Sequence, residues 1–256
     1  MSGEIDVERV QASLSERWRL VYRREVDSTM TVARALANAG APAGTVVLAE
    51  EQTAGRGRMG RSWVSVGGVN LYFTAILRPS LTVLRQLAMV VPLAVAEGVE
   101  AVCPVRTEIK WPNDVQMDGL KLSGVLIDAE LRGDEPALAL VGVGINVNFA
   151  AGSVPELRGI ATSLSERLGQ PLERGEVLRA VLMRLATLLD ESERGGAVRD
   201  RWRARLNTLG RRITVRAGET IETGLAVDVT DDGGLVLERD DGSRAVLAAG
   251  EVTLHT

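Results

Sequence analysis

The chain has 256 residues, 45% of them hydrophobic and 25% charged, which is enough for a sizeable core and more than one average domain. Its 34 acidic against 30 basic residues leave a net charge of -4, which lacks the strongly basic footprint of a dedicated nucleic-acid binder, although local basic clusters stay possible. One cysteine, Cys103, excludes an intramolecular disulfide and suits a reducing compartment, and one histidine, His255, leaves no His-rich zinc site and no Cys-His or Ser-His pair for nucleophilic catalysis. Chemistry therefore falls to Lys, Arg, carboxylates, amides or hydroxyls.

Residues 1–20 carry Glu4, Asp6, Glu8 and Arg9 with no apolar run, so they resemble neither a secretory signal nor a membrane span, and a cytoplasmic protein without membrane attachment is expected. A strand is expected around 20–24. Asp27-Ser28-Thr29 ahead of Val32, Ala33 and Leu36, with Gly40 and Pro42 behind them, reads as an N-cap, an apolar face and a stop, which predicts a short helix. Residues 45–49 and 69–77 read as strands separated by a Gly-rich stretch, 55–68, and a connection that long is usually functional or mobile.

Leu84, Leu87, Ala88, Val91, Ala94, Val95 and Val99 recur at helical spacing, which predicts a buried helix over 82–102 with a kink at Pro92. Strands are predicted over 105–111, 120–130 and 137–148; with the earlier pair they make an α+β fold, a mixed, mostly antiparallel sheet flanked by helices. Val177, Leu178, Val181, Leu182, Leu185, Leu188 and Leu189 mark a further helix, followed by a second near Trp202. From Arg211 onward short alternating runs separated by Gly and Asp turns predict a small β-barrel.

Of the 30 Lys and Arg residues only Lys110 and Lys121 are lysines. Arginine is a planar fork, whereas lysine is a compact ammonium that sits between several oxygens, so a lysine retained in an arginine-rich chain marks a place to look. Lys110 opens Lys110-Trp111-Pro112-Asn113-Asp114-Val115 and Lys121 opens Lys121-Leu122-Ser123-Gly124-Val125-Leu126, a spacing that predicts neighbouring strands joined by a turn at Asp118-Gly119.

Gly55-Arg56-Gly57-Arg58-Met59-Gly60-Arg61-Ser62-Trp63 contains a formal G-x-G-x-x-G match, but the dinucleotide fingerprint needs a helix next and an acidic residue about 20 positions on. Residues 63–68 open no good helix, and 75–80 contain no Asp or Glu. Three arginines spaced by glycines instead point to a loop closing over an anion, with forked hydrogen bonds to phosphate or carboxylate. Nucleic-acid binding by an Arg/Gly segment is the competing reading, and a solvated charged loop the plainest. Lys110 to Asp114 gathers a cation, an aromatic plane, an amide and a carboxylate, a set suited to a nucleotide phosphate, its Mg²⁺ and an adenine; Trp111 as core and Asp114 as turn former is the structural alternative.

These motifs, with Gln52 ahead of them and Gly142-Val143-Gly144-Ile145-Asn146-Val147-Asn148 behind, resemble in order those of biotin protein ligases. The resemblance runs from about Asp27 to the C-terminus. It implies a catalytic domain over 1–208 of the biotin/lipoate ligase type, followed by an SH3-like β-barrel over 209–256. Biotin and MgATP would give biotinyl-5′-adenylate and pyrophosphate, and the adenylate would acylate a lysine of a biotin carboxyl carrier protein.

By the same resemblance Ser28, Thr29, Met30, Gln52, Arg56, Gly57, Arg58 and Lys121 line the biotin pocket. Arg58, Arg61, Trp63, Lys110, Asn113, Asp114 and Asn146 face the nucleotide, Lys121, Arg58 and Lys110 act in catalysis, and Asp114 approaches the Mg²⁺. The chain departs from the family at Met30, where Asn or Gln usually follows Ser-Thr and meets the ureido group.

Such a reaction needs no enzyme nucleophile, because bringing two anions together calls for cations that position the reactants and screen charge. Many members also carry an N-terminal winged helix-turn-helix; only 26 residues precede Asp27, so no specific DNA binding is expected. A homodimer is consistent with the resemblance. The alternatives are a lipoate or octanoate ligase of the same fold, against which the Gly-Arg-Gly-Arg loop argues, and a non-catalytic nucleotide- or nucleic-acid-binding module.

Overall fold

The computed structural model describes residues 4–132 and 135–254, so His255 lies outside the described residues. The chain begins with a short helix, α1 (Val7–Ser13), whose N-cap Asp6 accepts from the Arg9 amide. It then runs through β1 (Arg19–Val26), α2 (Thr29–Asn38) and β2 (Thr45–Gln52), and the two strands pair in parallel. The expected cap of α2 is present: the Ser28 hydroxyl accepts from the Met30 amide.

β3 (Leu71–Leu77) pairs antiparallel with β2, and α3 (Leu81–Val102) runs without interruption through Pro92. Three strands, β4 (Glu108–Lys110), β5 (Asp114–Met117) and β6 (Leu120–Arg132), and then β7 (Glu135–Ile145) complete a seven-stranded sheet in the order β1-β2-β3-β7-β6-β5-β4. The turn between β5 and β6 is the Asp118-Gly119 pair predicted from sequence. Both residues have positive φ, 48° and 76°, as a two-residue hairpin turn matching strand twist requires.

Both faces of this sheet are covered, and the alternation of its strands shows it. Val46 and Leu48 of β2 face the main core with α3, whereas Val47 joins Met30, Ala33, Ala37 and Ile76 in a second cluster beneath α2. α3 is apolar and long enough to pass for a membrane span by composition alone, but it is a core helix: Val90, Leu93, Ala94, Val95 and Val99 are all buried. Beside it pack α5 (Arg174–Glu193) and α6 (Val198–Arg203), while the short α4 (Leu164–Leu168) buries Leu164 in the same core.

Five strands follow, β8 (Arg212–Ala217), β9 (Thr220–Val229), β10 (Leu235–Glu238), β11 (Arg244–Leu247) and β12 (Glu251–Leu254), as an antiparallel sheet in the order β11-β10-β9-β8-β12. This sheet is docked by specific polar contacts: Trp111 Nε1 donates to the Gly233 carbonyl at 2.9 Å, and Arg203 meets Asp228 at 2.7 Å. Trp111 is therefore a core residue, almost fully buried. That corrects its sequence reading as an aromatic plane for adenine, because its ring and its single donor are both committed to packing.

Candidate active site

A cleft of about 460 Å³ opens on the face of the large sheet that carries α2 and the 55–68 loop. All fourteen residues singled out from sequence line it: Ser28, Thr29, Met30, Gln52, Arg56, Gly57, Arg58, Arg61, Trp63, Lys110, Asn113, Asp114, Lys121 and Asn146. No short-range pattern gathers them, since they come from α2, β2, the loop, both sides of the β4–β5 turn, β6 and the end of β7.

The floor of the cleft is made of glycine. Gly124 of β6 stands opposite Gly144 of β7, and the Trp63 indole lies so close above them that a Cβ at Gly144 would fall 2.5 Å from its Cε2 and one at Gly124 would fall 2.8 Å from its Cζ3. A third glycine, Gly142, holds Met30 in the same way, with Sδ 3.0 Å from the position of a Cβ. Side chains at these places would exclude the residues now seated there. The Trp63 Nε1 donor is buried without a partner, an unusual condition for an indole and one that a ligand oxygen can relieve.

One wall is a hydrogen-bonded row of small polar groups. Gln52 Oε1 accepts from the Thr29 amide at 2.9 Å and from its hydroxyl at 3.1 Å, Thr74 donates to Thr29 Oγ1 at 2.8 Å, and Gln52 Nε2 donates to Ser65. Each group fixes the next, so their orientations are set before any ligand enters.

The cationic wall depends on an irregularity in the β5–β6 hairpin. In a regular strand Lys121 would share a face with Ser123 and Val125, but the pairing jumps from Val115↔Ser123 to Gln116↔Lys121, leaving Leu122 as an extra residue. Leu122 and Val125 point into the main core, while Lys121 turns toward the cleft with Nζ 3.2 Å from where a Gly124 Cβ would stand. There Lys121 Nζ meets Asp114 Oδ1 at 2.8 Å and lies 5.3 Å from the Trp63 ring centroid. Arg58 donates to Asn113 Oδ1 at 2.8 Å, and Asn113 in turn donates to the Val125 carbonyl. Burial lowers the Arg58 pKa, opposed by nearby Asp114, yet a guanidinium stays charged at neutral pH. Lys110 makes no ion pair among the described residues, so its charge is available to an anion.

The loop carrying Arg58 is folded, with one 3-10 turn over Arg58–Gly60 and a Gly57 amide bonded to the Arg61 carbonyl at 2.7 Å. Arg61 reaches across to Glu251 of β12 at 2.7 Å, so the C-terminal sheet contributes to the cleft. Glu251, Gln116 and the 157–161 segment carry no recognisable local signal and were not found from sequence. Gly124, Gly142 and Gly144 stand inside motifs that were found; only the packing reveals what their missing side chains do. Among the described residues no group of three or more His, Cys, Asp or Glu is placed to hold a metal.

The sheet and this cleft define a ligase domain of the biotin/lipoate type: the model of the Biotin/lipoate A/B protein ligase family matches residues 22–146. A second model, the Biotin protein ligase C terminal domain, matches residues 208–254. The biotin–(acetyl-CoA-carboxylase) ligase of Paracoccus denitrificans is 36% identical over 216 residues, covering 80% of this chain and 88% of that protein. The Bifunctional ligase/repressor BirA of Bacillus subtilis is 34% identical over 235 residues, covering 90% of this chain and 72% of that protein. The biotin protein ligase from Aquifex aeolicus, solved in complex with biotin and ATP, matches with a TM-score of 0.78 at 34% identity, over 93% of this chain and 98% of that one. The chain belongs to the biotin protein ligase family.

Proposed function

We propose that this chain activates biotin with ATP and transfers it to a lysine of a biotin carboxyl carrier protein. The observation that carries the reading is one cleft holding Lys121, Lys110 and Arg58 on one wall and the Thr29–Gln52–Ser65 polar row on another. The row suits a small neutral polar head such as a ureido group, and the cations suit a carboxylate approaching a phosphate. Met30, an apolar residue packed on Gly142, borders the same pocket.

In the first step a biotin carboxylate oxygen bonds to the α-phosphorus of ATP, and the bond to pyrophosphate breaks. Lys121 leaves its ion pair with Asp114 to lie between the two anions, where a compact ammonium screens their repulsion. Arg58 and Lys110 hold phosphate oxygens from the same side. Mg²⁺ would arrive with the triphosphate as part of the substrate and screen its charge, and Asp114 is the cleft carboxylate that would be offered to it. In the second step the carrier lysine attacks the acyl carbon and AMP leaves. A loop closed over the cleft keeps water from the mixed anhydride between the two.

The deciding experiment incubates the protein with MgATP, biotin or lipoate, and an apo carrier domain, following pyrophosphate release and carrier mass. Biotin-dependent release with biotinyl transfer is expected. Exclusive lipoyl transfer would establish the lipoate-ligase reading instead, and no release with either acid a binding module. We further place the protein in the cytoplasm, divide it into a catalytic part over 1–208 and a C-terminal part over 209–256, and take the carrier domain of acetyl-CoA carboxylase as its acceptor. A homodimer is the assembly we propose from the family resemblance, and a lone monomer peak in sedimentation velocity would overturn it.

A further inference from the structure

Asn146 lines the cleft, yet its polar groups are largely engaged inside the protein. Its amide donates to the carbonyl of Leu122, the extra residue of the β6 bulge, at 2.9 Å, and its own carbonyl accepts from the Leu164 amide at 3.1 Å. Its side-chain Nδ2 donates to the Thr162 carbonyl at 3.1 Å. Thr162 and Ile160 in turn grip the backbone of Lys121 from both sides: the Lys121 amide donates to Ile160 at 2.9 Å and the Thr162 amide donates to the Lys121 carbonyl at 2.9 Å. Asn146 thus bonds both to the bulge that aims Lys121 and to the segment that clamps it.

What orients Asn146 is a residue outside the cleft. Asn70, 1% exposed, accepts from the Val147 amide at 2.9 Å and donates to Asn146 Oδ1 at 3.5 Å. The Asn70 carbonyl is held by Arg174 at 3.0 Å, and Arg174 is paired with Glu50 at 2.7 Å in a fully buried ion pair. The relay has a direction. Asn70 offers Asn146 a donor, so Asn146 must turn its acceptor toward Asn70 and its donor toward Thr162. Reversing the first contact reverses the second, and the clamp on Lys121 loses its hydrogen bond.

We propose that Asn70 is a positioning residue for the ligase reaction, acting through the Asn146 carboxamide on the 160–162 segment that clamps the Lys121 backbone. The proposal rests on the reading that Lys121 meets the reacting anions, and the test separates the two. Asn70→Asp keeps an acceptor for Val147 but replaces the donor facing Asn146 with an oxygen; Asn70→Ser, too short to reach either group, brings no charge. Both are made in the full chain, alone and with Lys121→Ala, and compared by single-turnover adenylate formation at saturating biotin and MgATP, by biotin affinity and by melting temperature.

A displacement of Lys121 by about 1 Å predicts a loss of about a hundredfold in the chemical step, with biotin affinity held within about threefold. In the Lys121→Ala background the same Asn70 substitutions should cost almost nothing more, because the group they aim is gone. Effects of Asn70 and Lys121 substitutions that multiply, or Asn70 variants at wild-type rate, overturn the positioning role. Adenylate formation unchanged in Lys121→Ala overturns the underlying reading instead. If Asn70→Asp melts below the assay temperature, the cycle is read on Asn70→Ser alone, with the same two outcomes.

Discussion

Adding one methyl group to the floor of the cleft should disable binding while sparing the fold. In Gly144→Ala the new Cβ would lie 2.5 Å from Trp63 Cε2 and 2.7 Å from both Cζ2 and Nε1. Carbon contacts settle near 3.5–4.0 Å, so the indole has to rise by roughly 1 Å. Overpacking of this kind costs about 1–3 kcal/mol. The ring belongs to the 55–68 loop and not to a core layer, so the cost falls on the seated loop, and biotin affinity should drop by roughly 5- to 150-fold. The melting temperature should fall by less than about 2 °C, since a full 1 kcal/mol charged to global unfolding of a chain this size would move it by about 2–4 °C. Titration calorimetry measures the affinity. Acrylamide quenching follows the ring, because Trp18, Trp111 and Trp202 are almost fully buried and Trp63 is the accessible indole. Unchanged affinity together with unchanged quenching would refute the argument that the glycine floor exists to seat Trp63.

Other expectations follow from the same geometry. Lys121→Arg keeps the charge, but Asp114 at 2.8 Å, the Gly124 backbone and the Trp63 ring leave no room for a guanidinium, so adenylate formation should fall by about 10²–10³, and a near-normal rate in a pyrophosphate-release assay would count against a compact-ammonium role. Trp111→Phe removes the donor to Gly233 and leaves that carbonyl buried, so thermal or urea unfolding should show a loss of about 1–3 kcal/mol. Burial alone would raise the Glu97 pKa, but hydrogen bonds from Arg201 and Arg184 outweigh it and hold the carboxylate below its ordinary 4.5. A depressed folded pKa gives stability that is present above the unfolded value and lost as pH falls through the folded one, so melts should weaken below about pH 4.5 and Glu97→Gln should flatten that fall. Chelating Mg²⁺ with EDTA should stop pyrophosphate release, and added Mg²⁺ should restore it without any change in melting temperature of the nucleotide-free protein.

The parts of this molecule legible in its sequence are those whose cause is local. Ser28 caps a helix because a short hydroxyl precedes an apolar repeat, and Asp118-Gly119 turns because both positions need positive φ. The fourteen residues named from sequence all line the cleft, because strand ends and loops carry short local signatures, but they are only part of its lining. The parallel pairing of β1 with β2 was not legible, since the strand pattern is the same for either direction. Nor was α1, whose Val7 and Val10 make too short an apolar face among charged neighbours. Glu251 enters the cleft only because the C-terminal sheet docks beside the loop, and Asn70 meets Asn146 and Val147 only once residues 76 and 77 positions apart are brought together; neither carries a signal before the chain has folded.

Lys110 and Lys121 both open into the same cleft, and the rest of the 256-residue chain presents its cationic side chains as guanidinium or imidazole. Apart from the backbone α-amino group, a reagent that consumes amines therefore finds its targets in this protein only on the walls of that cleft. Coupling it through lysine to a chip, a bead or a dye blocks the very groups under study, while a ligand that protects both amines from acylation reports occupancy of the cleft by mass alone.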